Sequence, residues 1–334
     1  MSTNLSNATI VKALGLPSDI STKLATAIGS DYEKTMNQFL TPLVNKIVYQ
    51  KVDKMTFDNP FKKYDSFPVN YGDTIENIFT ELPVGYTFDK DATDPFTKVI
   101  PSVKPLYATI NYEMQYEETI QDVLMKRACL AENGFMQLIN SILETLVTRR
   151  SIDEYTATIR MLNNADIYKD GFETIDVSTL ADDKAKYQAI TNTIVDTAKD
   201  FELPSVDNNK LGVMTVSNKA DVLLIIKQSL LNKINIDFLS GVFNLSKVDL
   251  VSNIIPVRSF KTVSNPTGNA EAVGEDIDFV IIDTKGFDNH VALQDGGMIY
   301  NPKGKYTNHF DNLWKIFAFK TYYNARAYKI KFSA

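Results

Sequence analysis

Catalysis needs a nucleophile, a general base or a set of metal ligands held close together, and the residues of this sequence able to fill those roles are few and dispersed. Two histidines occur in 334 residues, His290 within DNHVAL and His309 within TNHFDN. Neither stands in an HExxH, HxH or Cys/His spacing that would put two ligands on one metal, so each reads as a structural or surface histidine. The single cysteine, Cys129, has no second thiol to pair with and reads as a small buried apolar residue. Adjacent carboxylates at Glu117 and Glu118, and at Asp182 and Asp183, are of the type that supplies an acid and a base. Solvated strand ends and helix starts account for them more simply. The stretches Asp295-Gly296-Gly297 and Asn301-Pro302-Lys303-Gly304 match no phosphate loop, nucleophile elbow or dinucleotide fingerprint, and are expected to be turns between aromatic strands. The expectation is a protein with no catalytic, cofactor-binding or metal-binding residues, and therefore not an enzyme.

Composition narrows the class further. With 44% hydrophobic and 11% aromatic residues, the chain has material for one large domain or two modest ones, which excludes disorder along its whole length. A net charge of -6 lacks the basic footprint of a dedicated nucleic-acid binder, although a weakly acidic surface that merely encloses DNA is compatible with it. No apolar run approaches the roughly 20 residues that cross a bilayer, and the first residues lack a continuous apolar core of the secretory type. No membrane partner is expected, and synthesis in a cytosol is.

Since no site organises the chain, its elements must be read for what else they could position. Residues 1–50 suggest short amphipathic helices, with Tyr32, Met36, Phe39, Leu43 and Ile47 at spacings of three and four. Residues 51–119 change to strand and turn character. There Leu106, Ala108, Ile110, Tyr112, Met114 and Tyr116 alternate with polar neighbours, predicting one strand of ~40 Å at ~3.3 Å per residue, about twice the usual length. Its expected partner is 68–82, with Ile75, Ile78 and Phe79 as apolar positions, joined through an acidic connection around Asp89, Asp91 and Asp94. An isolated hairpin is marginal in water, so such an arm must lie on the chain's own core or on a neighbour.

A long helix is predicted over 131–163, with Phe135, Leu138, Ile139, Ile142, Leu143 and Leu146 forming one stripe that Ile152, Tyr155, Ile159 and Leu162 continue. It would span ~45 Å at 1.5 Å per residue. Arg149 and Arg150 interrupt the stripe, with Asp153 and Glu154 four residues on as partners, and read as a solvated or interface patch. A second helix is expected over 182–201, facing Tyr187, Ile190, Ile194 and Phe201 inward and ending before Pro204. LGVMTV and DFVIID have strand length, and SNKADVLLIIKQSL opens with Ser217 as a helix N-cap. Residues 314–332 are aromatic and β-branched enough to be strand, with Tyr328, Ile330 and Phe332 alternating with Lys329 and Lys331. The fold class is α+β.

The order of these parts resembles the Hong Kong ninety-seven capsid fold of tailed phages and herpesviruses, with its N-arm, long β-hairpin E-loop, peripheral domain with a spine helix, and axial domain. NPFKKYDSFPVNYGDTIENIFTEL, the TIQD of 119–122, INIDFLSGVFNLSKVDL and YNPKGKYTNHFDNLWKIFAF look like segments of the major head proteins of phi-twenty-nine-like podoviruses. What the resemblance implies is a division into a 1–50 arm, a 51–119 E-loop, a 120–203 peripheral domain, a 204–293 axial domain and 294–334 return strands completing the peripheral domain. It implies a major capsid protein, self-assembling as pentamers and hexamers into an icosahedral shell around packaged double-stranded DNA that it contacts non-specifically. The expected site of action is the virion, after assembly in the host bacterial cytoplasm, with a portal at one vertex and no cofactor.

Head proteins of that group can carry a C-terminal immunoglobulin-like domain; this sequence stops at Ala334, and no decorating role is carried over. Residues 1–50 are short for a scaffolding segment, so a separate scaffolding protein, or assembly without one, is expected. Two alternatives use the same residues: an encapsulin-like nanocompartment shell, and a soluble α/β enzyme whose arm folds back on its own core. For subunit contacts the candidates are Tyr107, Tyr112 and Tyr116 along the arm, Phe61 in NPFKKY, and Arg149 with Arg150, because aromatics and arginine dominate buried contact patches.

Overall fold

A computed structural model describes residues 56–87, 90, 98, 100–121, 134–180, 182–234, 254–264, 270–272 and 274–332. Expectations for 1–50, Cys129, the acidic connection at Asp89, Asp91 and Asp94, and the side chains of Phe135, Leu138, Ile139, Ile142 and Leu143 lie outside the described residues. The chain divides into two units: residues 57–116, 149–296 and 311–334 form the larger, and residues 1–56, 117–148 and 297–310 the smaller.

The larger unit is built on a five-stranded sheet. In chain order the helices and strands of the described residues are β1 (Ile75–Thr80), β2 (Val103–Ala108), β3 (Tyr112–Gln121), α1 (Gly134–Leu162), β4 (Phe172–Asp176), α2 (Asp183–Phe201), β5 (Val222–Lys227), α3 (Gln228–Leu231), β6 (Ile254–Val257), β7 (Thr262–Ser264), β8 (Ala270–Ala272), β9 (Phe279–Asp283), β10 (His290–Asn301), β11 (Tyr306–Ile316) and β12 (Ala325–Lys331). The sheet order is β4-β12-β9-β5-β6, with β9 antiparallel to both β5 and β12, and β4 and β6 parallel to their neighbours.

Period-two geometry sends Val222, Leu224 and Ile226 to one face and Leu223 and Ile225 to the other. The first set meets Ile190, Ile194, Ala198 and Phe201 of α2. The second packs with Ile159 and Leu162 of α1 and with Phe61, Phe260 and Phe287. With helices on both faces, β5 and β9 are buried at nearly every position, which is why both read as unbroken apolar runs. Each enclosed aliphatic side chain contributes about 1.5–3 kcal/mol, so these two layers are the main source of stability.

Four expectations change here. SNKADVLLIIKQSL is not a capped helix: Val222–Lys227 is the strand β5, and Ser217 instead accepts a hydrogen bond from Asn324. A short apolar run is ambiguous by periodicity, and cover on two faces decided it. LGVMTV is not a strand beyond an isolated Ser205–Thr215 bridge. The Asn209 side chain takes both backbone groups of Val213, donating to its carbonyl at 2.6 Å and accepting from its N–H at 3.0 Å, which diverts the groups a ladder would need. Asp295-Gly296-Gly297 lies inside β10, whereas Asn301 to Lys305 is the turn that leads into β11. The closing strand is also shorter than 314–332: β11 ends at Ile316, and β12 begins at Ala325 after a loop.

The boundaries expected at 203/204 and 293/294 cut through this sheet. β4 and α2 precede the first, β12 follows the second, and all three share the layers of β5, β6 and β9. Strands β10, β11 and β3 form a separate three-stranded sheet, in that order. In the smaller unit Asn308 of β11 donates to Glu117 at 2.7 Å and accepts from Thr119 at 2.8 Å.

Candidate assembly surface

The arm is a two-stranded sheet of β1 and β2, antiparallel from Ile75 opposite Ala108 to Thr80 opposite Val103. The expected single strand over 106–117 is broken at 109–111, although its alternation of cover persists across the break. Asn111 causes the break. Its side chain donates to the Phe317 carbonyl at 2.8 Å and accepts from the Phe317 N–H at 2.9 Å, imitating a ladder pair with a different strand end.

The two faces of the arm differ. Ile75, Asn77, Phe79, Leu106 and Ala108 share the face that meets the chain's own body. Phe79 packs on Tyr322 at 4.9 Å between ring centroids, and Asn77 donates to Asp288 at 2.5 Å. The opposite face carries Ile78, Val103 and Tyr107 exposed, and beyond the paired strands Leu82, Val84, Tyr86 and Ile100 are exposed as well. Tyr107, 66% exposed, leaves its ring uncovered while its hydroxyl donates to Glu76, directly opposite, at 2.9 Å. That bond and the carboxylate's charge hold the phenol above its ordinary value.

Four of the six predicted contact residues come together elsewhere. Tyr112 and Tyr116 join through their hydroxyls at 3.0 Å, and Tyr112 sets its ring edge-on to Phe317. Burial pushes the Tyr112 phenol up to about 12 and raises Tyr116 further. Arg149 lies 2.8 Å from Asp153, and Arg150 lies 2.8 Å from Asp311 and 3.9 Å from Glu154. The expected partners at i+4 are thus found, but Arg150 is largely enclosed and not solvated. Burial raises the Asp153 carboxyl, and the Arg149 guanidinium offsets part of the rise.

Lys315, which sequence reasoning missed, completes the set. It is 1% exposed, with Nζ 2.6 Å from Asp65 and 3.3 Å from Glu154, and 4.9 Å over the Phe317 ring. Asp311, Arg150, Glu154, Lys315 and Asp65 therefore alternate in sign, tying β11, α1 and the 57–67 segment together. The available signal was a lysine inside the apolar run LWKIF. A groove of about 490 Å³ opens beside this cluster, bordered by Asn111, Met114, Asp153, Arg160 and Phe317.

Phe61, the sixth candidate, is 1% exposed, packed between Tyr155 and Phe287. A ring so enclosed by its own chain presents no surface to a second subunit. His290 is buried and bonded, and His309 is half-buried in β11. Among the described residues no group of three His, Cys, Asp or Glu could hold a metal ion, and no helix is long and apolar enough to cross a membrane.

These parts have counterparts in solved structures. The capsid structure of Staphylococcus phage Andhra superposes with a TM-score of 0.67, covering 85% of this chain and 88% of that one at 10% identity. The mature capsid of bacteriophage PhiM1 does so with 0.59, covering 86% and 91% at 11% identity. The fold is that of a tailed-phage capsid protein, the Hong Kong ninety-seven fold. The family follows from sequence. The model of the Phi29-like phage major capsid protein family matches residues 16–329, and the chain belongs to that family. Among curated relatives, the major capsid protein of Bacillus phage B103 is 30% identical over 305 residues, and that of Bacillus phage PZA 27% over 301. The major capsid protein of Streptococcus phage Cp-1 is 25% identical, covering 86% of this chain and 80% of its own length. The chain is covered to 89% by either Bacillus phage relative but spans 64% of their length. The nanocompartment and enzyme alternatives find no support in these matches.

Proposed function

We propose that the chain is the repeating subunit of an icosahedral phage head, assembling as pentamers and hexamers around double-stranded DNA. The observation that carries this is the outward face of the arm. A two-stranded sheet is marginal by itself, and its uncovered Ile78, Val103 and Tyr107, with Leu82, Val84, Tyr86 and Ile100 beyond, call for cover that further copies of the same chain would supply. In this reading residues 51–119 are the E-loop, α1 is the spine, and the axial domain takes in the whole five-stranded sheet with α2. The role is structural, without catalysis. DNA is contacted non-specifically, a separate scaffolding protein and a portal at one vertex complete the partners, and assembly in the bacterial cytoplasm ends in the virion.

Negative-stain electron microscopy of the expressed chain, alone and with the scaffolding protein of its phage, tests this reading. Closed shells, or sheets of pentamers and hexamers, are expected. Uniform monomers under both conditions overturn it.

A further inference from the structure

Lys315 leaves β11 for a place from which water is largely excluded. Its Nζ lies 2.6 Å from Oδ2 of Asp65 and 3.3 Å from Oε2 of Glu154, over the Phe317 ring that Tyr112 closes edge-on. The lysine side chain is 1% exposed, that of Glu154 10% and that of Asp65 19%. Each member is fixed by its backbone. Asp65 N–H donates to the Lys62 carbonyl at 3.1 Å and the residue bridges to Asn289, while Glu154 stands in α1. Distance alone does not single this cluster out, since Lys169–Asp207 and Lys285–Asp221 are also 2.6 Å apart. Those pairs lie open to water, and neither sets its lysine against a second buried carboxylate.

An ammonium and a carboxylate in this relation need lose only one water to become an amide, and the ion pair already contains every atom of that reaction. The ammonium has three protons; an amide nitrogen keeps one, and the other two leave with one carboxyl oxygen. The proton facing Asp65 passes directly to Oδ2, and the nitrogen lone pair it uncovers attacks Cγ, one bond beyond. Glu154 takes the second proton from Nζ and returns it to the same oxygen. The Cγ–Oδ2 bond then breaks, its electron pair leaving with water, and Glu154 ends as the carboxylate it was. Three conditions favour closure. Reactants oriented by a fold can have effective concentrations of about 10⁵–10⁸ M. Exclusion of water deprives the reverse hydrolysis of its reactant. The neutral product also escapes the desolvation that two enclosed charges suffer.

We propose that Lys315 and Asp65 become joined by an isopeptide bond, which the folded chain forms on itself with Glu154 relaying the proton. The ion pair is the form in which the chain folds, and the amide is the form it reaches. The bond ties the 57–67 segment, which leads into the arm, to β11 across a separation of 250 residues. The entry to the arm then stays attached to the body even where denaturant opens the rest. This follows from the subunit's own geometry and does not depend on shell formation.

Mass spectrometry of the purified full chain tests it. The intact chain should weigh one water less than its sequence requires. A tryptic digest should yield residues 64–90 joined to residues 306–320, uncut after Lys315. Lys315→Arg should keep its full sequence mass, and Glu154→Gln, which preserves the shape but not the relay, should close about 100-fold more slowly or less. A wild-type chain at full mass overturns the proposal. So does a lost water that maps elsewhere, as it would if Asp295 cyclised onto the Gly296 nitrogen, and so does closure of Glu154→Gln at the wild-type rate. Should either variant fold poorly, the wild-type digest alone decides, because the joined peptides are either present or absent.

Discussion

The arm and the central sheet use the same apolar residue types, and they end in opposite surroundings. In β5 and β9 nearly every residue is buried, because α2 covers one face and α1 with the Phe61 segment covers the other. In β1 and β2 alternate residues stay exposed, Ile78 and Tyr107 among them. Among the described residues the central sheet obtains cover on both faces from its own chain, the arm on only one. The difference separates residues that hold the subunit together from those that, in the proposed reading, hold subunits to one another.

The sharpest way to break the comparison is to remove a buried charge from the body. Lys315→Ala leaves Asp65 and Glu154 facing each other without their cation, and should cost about 3–5 kcal/mol in denaturant unfolding of the subunit. Ile225→Ala, in the layer beneath α1, should cost about 2–5 kcal/mol by the same measurement. Asn111→Ala strips the two hydrogen bonds that turn the chain from arm to body and leaves the Phe317 backbone unpaired, for about 1–3 kcal/mol. Tyr107→Asp should change subunit stability by no more than about 0.5 kcal/mol, yet abolish closed shells in electron micrographs. A loss for Tyr107→Asp as large as that for Ile225→Ala would mean the arm is covered by its own chain, and the comparison would fail.

The smallest effect is one of pH. Because burial raises the Asp153 carboxyl despite Arg149, the folded chain takes up its proton more readily than the unfolded chain does. Its contribution to stability is therefore greatest below the ordinary carboxylate range and declines as the pH rises through the raised value, opposite to a salt-bridged carboxylate whose value is depressed. Urea midpoints followed from about pH 7 to about pH 4 should show this component, and Asp153→Asn should remove it.

Much of this was legible in the residues. The spacing of Leu146, Ile159 and Leu162 announced α1, and that of Ile190, Ile194 and Phe201 announced α2, because a helix that buries one stripe must repeat its apolar residues at three and four. The expected pairing of 68–82 with a strand over 106–117 is found in part, as Ile75–Thr80 against Val103–Ala108. The absence of catalytic spacing turned attention to surfaces, and Tyr107 stands where that reasoning put it, on an exposed strand face.

What the sequence left open was decided by contacts between residues far apart in the chain. Only packing on two faces made Val222–Lys227 a strand, and only the Asn209 side chain kept 211–216 from becoming one. Phe61 and Tyr107 both read as contact aromatics in the sequence, and only the packing of Phe61 against Tyr155 and Phe287 showed that its ring is enclosed. Lys315 reads as an interruption of an apolar run until Asp65 and Glu154 arrive from 250 and 161 residues away. Periodicity reports which face of an element is apolar; what covers that face, and which charge meets which, is settled only when the layers close.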